Sequence, residues 1–150
     1  MTLQVSSSAF SNGATIPTVC TCDGQDVAPP LRWSNAPEQT RSFAVICEDP
    51  DAPSGTFTHW VLYDVPASSH GIGEQASIGK TGVNDFGATG FGGPCPPKRD
   101  RAHHYHFHVY ALDLDSIGPA GLSKRDAIKA MRGHVLAEGE LVGTYKRATT

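Results

Sequence analysis

Nowhere does the sequence hold an apolar run approaching the roughly 18 residues that a membrane helix requires. Its start, MTLQVSSSAF, lacks a basic segment followed by an apolar one. The chain therefore reads as a soluble, cytoplasmic protein with no stable membrane insertion. Basic residues are sparse too: Lys98, Arg99 and Arg101 form the densest cluster, and the net charge is −3. A nucleic-acid partner would need a broad basic face, so none is expected, and any anion site must be local. Cysteine is scarce, four in 150 residues, and only Cys20 and Cys22 are close together. A single intervening residue is not zinc-knuckle spacing, though on a strand it would point both thiols the same way. Without a secretory leader, reduced thiols are expected, acting as small buried hydrophobes plus one loop thiol. Two catalytic signatures are also missing. Gly79-Lys80-Thr81 ends like a phosphate loop, but Glu74 stands where that pattern needs glycine. Ser54-Gly55 lacks the strand-turn-helix setting of a nucleophile elbow.

What the chain does have is glycine and proline, 16 and 11 residues, with 39% hydrophobic content. That composition predicts many turns and few long helices, and 150 residues suffice for one domain, 1–150, with a real core. Strand-like runs occupy 3–5, 16–22 and 31–33. Residues 41–47, RSFAVIC, form an apolar run that stops at the acidic, proline-marked loop 48–53. Residues 57–65, FTHWVLYDV, carry large apolar groups in both phases, as a strand covered on both sides would. Strict alternation puts Phe57, His59, Val61 and Tyr63 on one face. A glycine-rich surface excursion, 68–93, precedes another strand at 102–112. One helix begins at Ser123, with Asp126 at the capping-box position and Ala127, Ile128, Met131 and Val135 at helical spacing. Gly133 weakens it by roughly 1 kcal/mol relative to alanine. A last strand, 140–147, closes the chain. Few helices among many short strands predict a mainly antiparallel β-domain with one or two peripheral helices.

The strand at 102–112 holds four of the seven histidines. Its phase puts His103, Tyr105, Phe107 and Val109 toward the core, with His103 and Tyr105 at the end nearest the glycine-proline loop, where a pocket rim would lie. His104, His106 and His108 fall on the other face as H-x-H-x-H. Three imidazoles there would span roughly 13 Å at about 3.3 Å per residue, so at most two could share one ion. A solvated or helix-covered face is the plainer expectation, and no metal is assigned. Asp49 and Asp51, just after a buried strand, invite a paired-carboxylate reading, although Asp-Pro-Asp is also ordinary turn composition.

Taken together, Cys47-Glu48-Asp49-Pro50-Asp51-Ala52-Pro53, Phe57-Thr58-His59-Trp60, Gly92-Gly93-Pro94-Cys95-Pro96-Pro97 and His103-His104-Tyr105 resemble the phosphatidylethanolamine-binding protein family. The resemblance is narrower still to its bacterial and archaeal, Raf-kinase-inhibitor-like branch. Leu31-Arg32-Trp33-Ser34, Asn84-Asp85-Phe86-Gly87, Gly133-His134-Val135-Leu136-Ala137 and Gly143-Thr144-Tyr145 extend it over nearly the whole chain. The resemblance implies a central antiparallel sheet packed on a smaller second sheet, with short helices at the edge. It also implies a small pocket for phosphate-like anions, such as a phospholipid headgroup (phosphoethanolamine-like) or a phosphorylated group. The matching positions are Asp49, Asp51, Pro53, His59, Cys95, Pro96, Pro97, His103 and Tyr105. Where the family has His-Arg-Tyr, this chain has His103-His104-Tyr105. Residue 104 points away from the pocket, so the change should fall on packing or on an ion pair with an acidic loop residue. The expected function is non-catalytic binding, without a cofactor, that modulates a protein kinase or another enzyme, with inhibition of a peptidase as an alternative; a homodimer is implied only by relatives of the resembled branch, and the sequence leaves the oligomeric state open. The alternative is a hydrolase using His59 or His103 as base with Asp49 orienting it. It lacks a clear nucleophile or oxyanion hole.

Overall fold

The computed structural model describes residues 2–73 and 78–148. In chain order the strands are β1 (Gln4–Ser6), β2 (Leu31–Ser34), β3 (Ser42–Asp49), β4 (Phe57–Pro66), β5 (Gly71–Ile72), β6 (Lys80–Thr81), β7 (His103–Leu112) and β8 (Val135–Tyr145), with one helix, α1 (Lys124–Met131), between the last two. Five strands form an antiparallel sheet in the order β6-β4-β3-β7-β8, and three form a smaller one, β1-β2-β5. The fold is mainly β, two antiparallel sheets with one peripheral helix, as the sequence leads one to expect.

Hydrophobic patterning explains the layers. On the inner face of the large sheet, Phe43, Val45, Cys47, Trp60, Leu62, Tyr105, Phe107 and Val109 pack against Leu31, Trp33 and Ile72 of the small sheet. The rings of Trp33 and Phe43 meet at 5.1 Å across that boundary. On the outer face, Ala44, Ile46, Val61 and Tyr63 lie under Ala127 and Met131 of α1. β3 and β4 are thus covered on both sides, which accounts for their near-continuous apolar sequence.

Three local expectations are corrected. Residues 16–22 are not a strand: a 3₁₀ turn at Thr18–Cys20 occupies their centre, stapled by the Thr21 amide and hydroxyl, both donating to the Thr18 carbonyl. The helix is shorter than its apolar spacing suggests. It starts as expected, with the Ser123 hydroxyl accepting from the Asp126 amide, but it ends at Met131. Gly133 follows at φ 83°, so this glycine stops the helix by a left-handed turn rather than weakening its interior. Val135 consequently opens β8, which begins five residues before the expected strand and pairs with β7 along its length. In the excursion 68–93, residues 74–77, and with them Glu74 of the phosphate-loop comparison, lie outside the described residues.

Candidate functional site

β3, β4 and β7 end at the same edge of the large sheet, and each delivers a polar side chain there: Asp49, His59 and His103. His59 arrives by a β-bulge. Cys47 pairs with Trp60 and Glu48 with Thr58, so His59 is an extra residue that no residue of β3 faces. A bulge breaks the two-residue alternation and re-aims the side chain. Phe57 and His59 therefore open on the inner side while Val61 and Tyr63 stay under the helix. This corrects the single face that strict alternation gives them. β7 has no such break, and His103, Tyr105, Phe107 and Val109 all point inward as their phase predicts.

These ends enclose a cavity of about 200 Å³. Asp49, His59, His103 and Tyr105 are its polar lining, and Ala52, Pro53, Phe57, Phe86, Pro96, Pro97 and Cys95 make the rest of its wall. Eight of the nine candidate residues therefore meet there. Asp51 does not. Its carboxylate accepts from the His104 amide at 2.9 Å and pairs with His104 Nδ1 at 2.7 Å, on the outside of the sheet. That hydrogen bond, the largest influence, lowers the Asp51 pKa. Asp49 and Asp51 thus serve different histidines and form no shared-carboxylate centre. His104, standing where the family has arginine, makes its contact with the acidic loop through hydrogen bonds to Asp51.

Asp49 is buried and fully engaged: one oxygen accepts from the Asp51 amide at 2.8 Å and the other from His103 Nδ1 at 2.6 Å. His103 Nε2 lies 2.9 Å from a carboxylate oxygen of Asp100. Burial disfavours the charged ring, but the hydrogen bonds to Asp49 and Asp100 outweigh it and raise the His103 pKa. His59 behaves oppositely. Its Nδ1 donates to the Gly92 carbonyl at 2.7 Å, and burial, stronger than that bond, lowers its pKa. Because a carbonyl only accepts, the neutral ring carries its proton on Nδ1 and presents Nε2 as an acceptor. Tyr105 lies beside both imidazoles, edge-on to His59 at 5.2 Å and stacked on His103 at 6.4 Å. Burial, and then the Asp49 charge, push its phenol pKa up. Its hydroxyl is buried without a protein hydrogen-bond partner.

The glycine-proline loop holds one wall. A Cβ on Gly92 would collide with the Phe86 ring, and one on Gly93 with the Asp26 carboxylate and the Cys20 carbonyl. The Gly93 amide donates to that carboxylate at 2.8 Å. Cys95 is joined to Cys22 by a disulfide, while Cys20 and Cys47 are buried and not disulfide-bonded. The expectation of four reduced thiols is thereby corrected. It failed because the 3₁₀ turn sends Cys20 to the core and Cys22 toward the loop, where the Cys22 amide donates to the Pro94 carbonyl at 3.1 Å. Sequence reasoning also missed Ala52, Phe57, Phe86 and Asp100. Asp100 had one signal, its position three residues before His103; Phe86 stood in the matching stretch Asn84-Asp85-Phe86-Gly87, but nothing in the sequence set it in the cavity wall.

No helix among the described residues is long and apolar enough to cross a membrane. The sequence profile of the phosphatidylethanolamine-binding protein family matches residues 6–146. A UPF0098 protein of Aquifex aeolicus is 47% identical over 97% of this chain and 89% of its own length. A UPF0098 protein of Pyrococcus horikoshii is 45% identical, over 98% and 78%. Among solved structures, a phosphatidylethanolamine-binding protein homologue from Chlamydia trachomatis superposes with a TM-score of 0.92 at 38% identity, covering 97% of this chain and 98% of that one. YbcL of E. coli, described as a member of the mammalian family, superposes at 0.89 with 33% identity, covering 97% and 99%. Near-complete coverage in sequence and in backbone, on top of the motifs that build the cavity, places this chain in the phosphatidylethanolamine-binding protein family.

Proposed function

We propose that the cavity binds a small phosphate-bearing ligand without turning it over. The observation that carries this reading is the Tyr105 hydroxyl, buried in the cavity wall with no protein partner. A buried donor of this kind costs about 1–3 kcal/mol when unmet, and a bound anionic oxygen would meet it. Beside it, neutral His59 offers an acceptor. A phosphomonoester monoanion matches both, since its P–OH donates to Nε2 while a charged oxygen accepts from Tyr105. The volume, about 200 Å³, is below the roughly 300–1,000 Å³ of drug-sized sites. It suits inorganic phosphate or phosphoethanolamine, with Phe57, Phe86 and the prolines receiving a short alkyl portion.

Binding is favoured over hydrolysis by what the wall contains. Cys95 is tied into a disulfide, Tyr105 is held as the phenol, and no serine or threonine is among the lining residues. The His103–Asp49 pair thus has no serine or threonine hydroxyl and no free thiol in the wall to activate.

Calorimetry with inorganic phosphate and with phosphoethanolamine at about pH 6 tests the proposal. Wild-type protein should bind at least one of them, phosphoethanolamine more tightly if the alkyl portion is read. Tyr105→Phe should weaken binding by roughly tenfold while leaving the melting temperature unchanged or higher, because it removes an unmet buried hydroxyl. Absence of affinity for both ligands at that pH would overturn the reading.

A further inference from the structure

The outer face of β7 carries a second constellation, separate from the cavity. His106 and His108 project from the same side of the strand, their rings stacked at 5.9 Å and 15°. On the neighbouring strand, 34 residues from His106 in sequence, Glu140 sits directly opposite His108. Both imidazoles turn toward the same carboxylate oxygen: His106 Nδ1 is 3.2 Å and His108 Nδ1 3.5 Å from Glu140 Oε2. One ligand atom from each of the three residues lies within 4.8 Å of the other two.

We propose that His106, His108 and Glu140 form a binding site for a zinc-type divalent transition ion. Strand geometry alone allows two imidazoles per ion, and the pairing of β7 with β8 supplies the third ligand that one strand cannot. Tetrahedral zinc with bonds of about 2.0–2.1 Å sets its donors about 3.3 Å apart. Two of the separations, 3.2 and 3.5 Å, already have that value. The third closes by rotation of partly exposed rings, whose side chains are 28% and 25% accessible. Two imidazoles and one carboxylate suit zinc, nickel or copper rather than magnesium or calcium.

An outer partner is also in place. His108 Nε2 lies 3.3 Å from Glu48 Oε1 on β3, and Glu48 is itself ion-paired with Lys124 of α1. With Nδ1 given to a metal, the Nε2–H would donate to this carboxylate, the arrangement that commonly orients metal-binding imidazoles. Beside the triad runs a surface groove lined by Thr2, Leu3, His108, Glu138, Gly139 and Glu140. Three protein ligands opening on a groove leave a fourth position for water or a small ligand, as in open rather than closed zinc sites.

The test is a titration of tag-free, chelator-washed protein with Zn²⁺ alone by calorimetry, and with Co²⁺ read by its visible absorption. Wild type should take up one equivalent and melt at a higher temperature with zinc than without. His106→Ala, His108→Ala and Glu140→Gln should each weaken binding by roughly tenfold or more and abolish that melting shift, and Glu48→Gln should weaken it by roughly tenfold. His104→Ala, on the same face, should bind like wild type, and phosphate affinity should be unaltered in His106→Ala. Circular dichroism melts without metal establish that each variant folds. Zinc affinity unchanged in His106→Ala or Glu140→Gln, or an equal loss in His104→Ala, would overturn the site.

Discussion

His103 is clamped between two carboxylates, Asp49 on Nδ1 and Asp100 on Nε2, and only the first belongs to the resemblance motifs. Asp49 is buried and cannot move without losing the Asp51 amide. Asp100 is only partly buried, and it occupies the place on Nε2 that a bound anion could take. Asp100→Asn is therefore expected to raise phosphate affinity, measured by the same calorimetry, whereas Asp49→Asn should lower stability by removing the buried one of the two carboxylates that hold His103. The clamp also sets a pH dependence. A histidine whose folded pKa exceeds its ordinary 6.5 contributes stability that is complete below that value and is lost as pH rises through the raised one. Since His59, with its lowered pKa, acts in the opposite sense, the loss is read as a difference: denaturant midpoints followed upward from about pH 6 should decline in wild type relative to His103→Gln. Legibility at this scale was uneven for a physical reason. Phase along an unbroken strand assigned His103 and Tyr105 to the inside, and the bulge at His59 defeated the same rule on β4.

Among the elements, the 3₁₀ turn at Thr18–Cys20 and the loop carrying Cys95 depend on each other. The disulfide spans 73 residues of sequence, and a cross-link closing a loop of that size stabilises by about 4 kcal/mol in the chain-entropy account. Cys22→Ser or treatment with dithiothreitol should accordingly lower the melting temperature and, because Cys95 lines the cavity, weaken phosphate binding as well. If only the melt changes, the loop holds its shape without the cross-link. Elements whose identity rests on local signals were readable: the apolar run of β3, the two-sided pattern of β4, and the Ser123 cap of α1. Those that depend on partners were not. Cys22 gives no sign of Cys95, and the first residues of β8 look helical until Gly133 is seen to turn left-handed.

At the scale of the molecule, the two sheets share one hydrophobic cluster, and each carries one of the two tryptophans, Trp33 in the small sheet and Trp60 in the large one. If that shared core makes them one cooperative unit, the fluorescence of Trp33→Phe and Trp60→Phe, each retaining one reporter, will show urea transitions that coincide with the loss of circular dichroism in the same variant. Separate transitions within one variant would mean that the small sheet folds on its own.

The position of β3 between β4 and β7 has a consequence for what the cavity can admit. His59 and His103 belong to strands two steps apart in a hydrogen-bonded sheet, so their backbones are separated by two interstrand spacings, about 9.5 Å. That span is a lattice dimension, not an adjustable contact. Evolution or engineering can deepen the cavity or trim its rim by changing Phe86, Pro97 or Ala52, but widening the strand separation beneath the imidazoles would require inserting a strand. If the cavity binds the proposed phosphate group, its ligands should therefore vary in their tails far more than in the breadth of the group that fits between the two histidines.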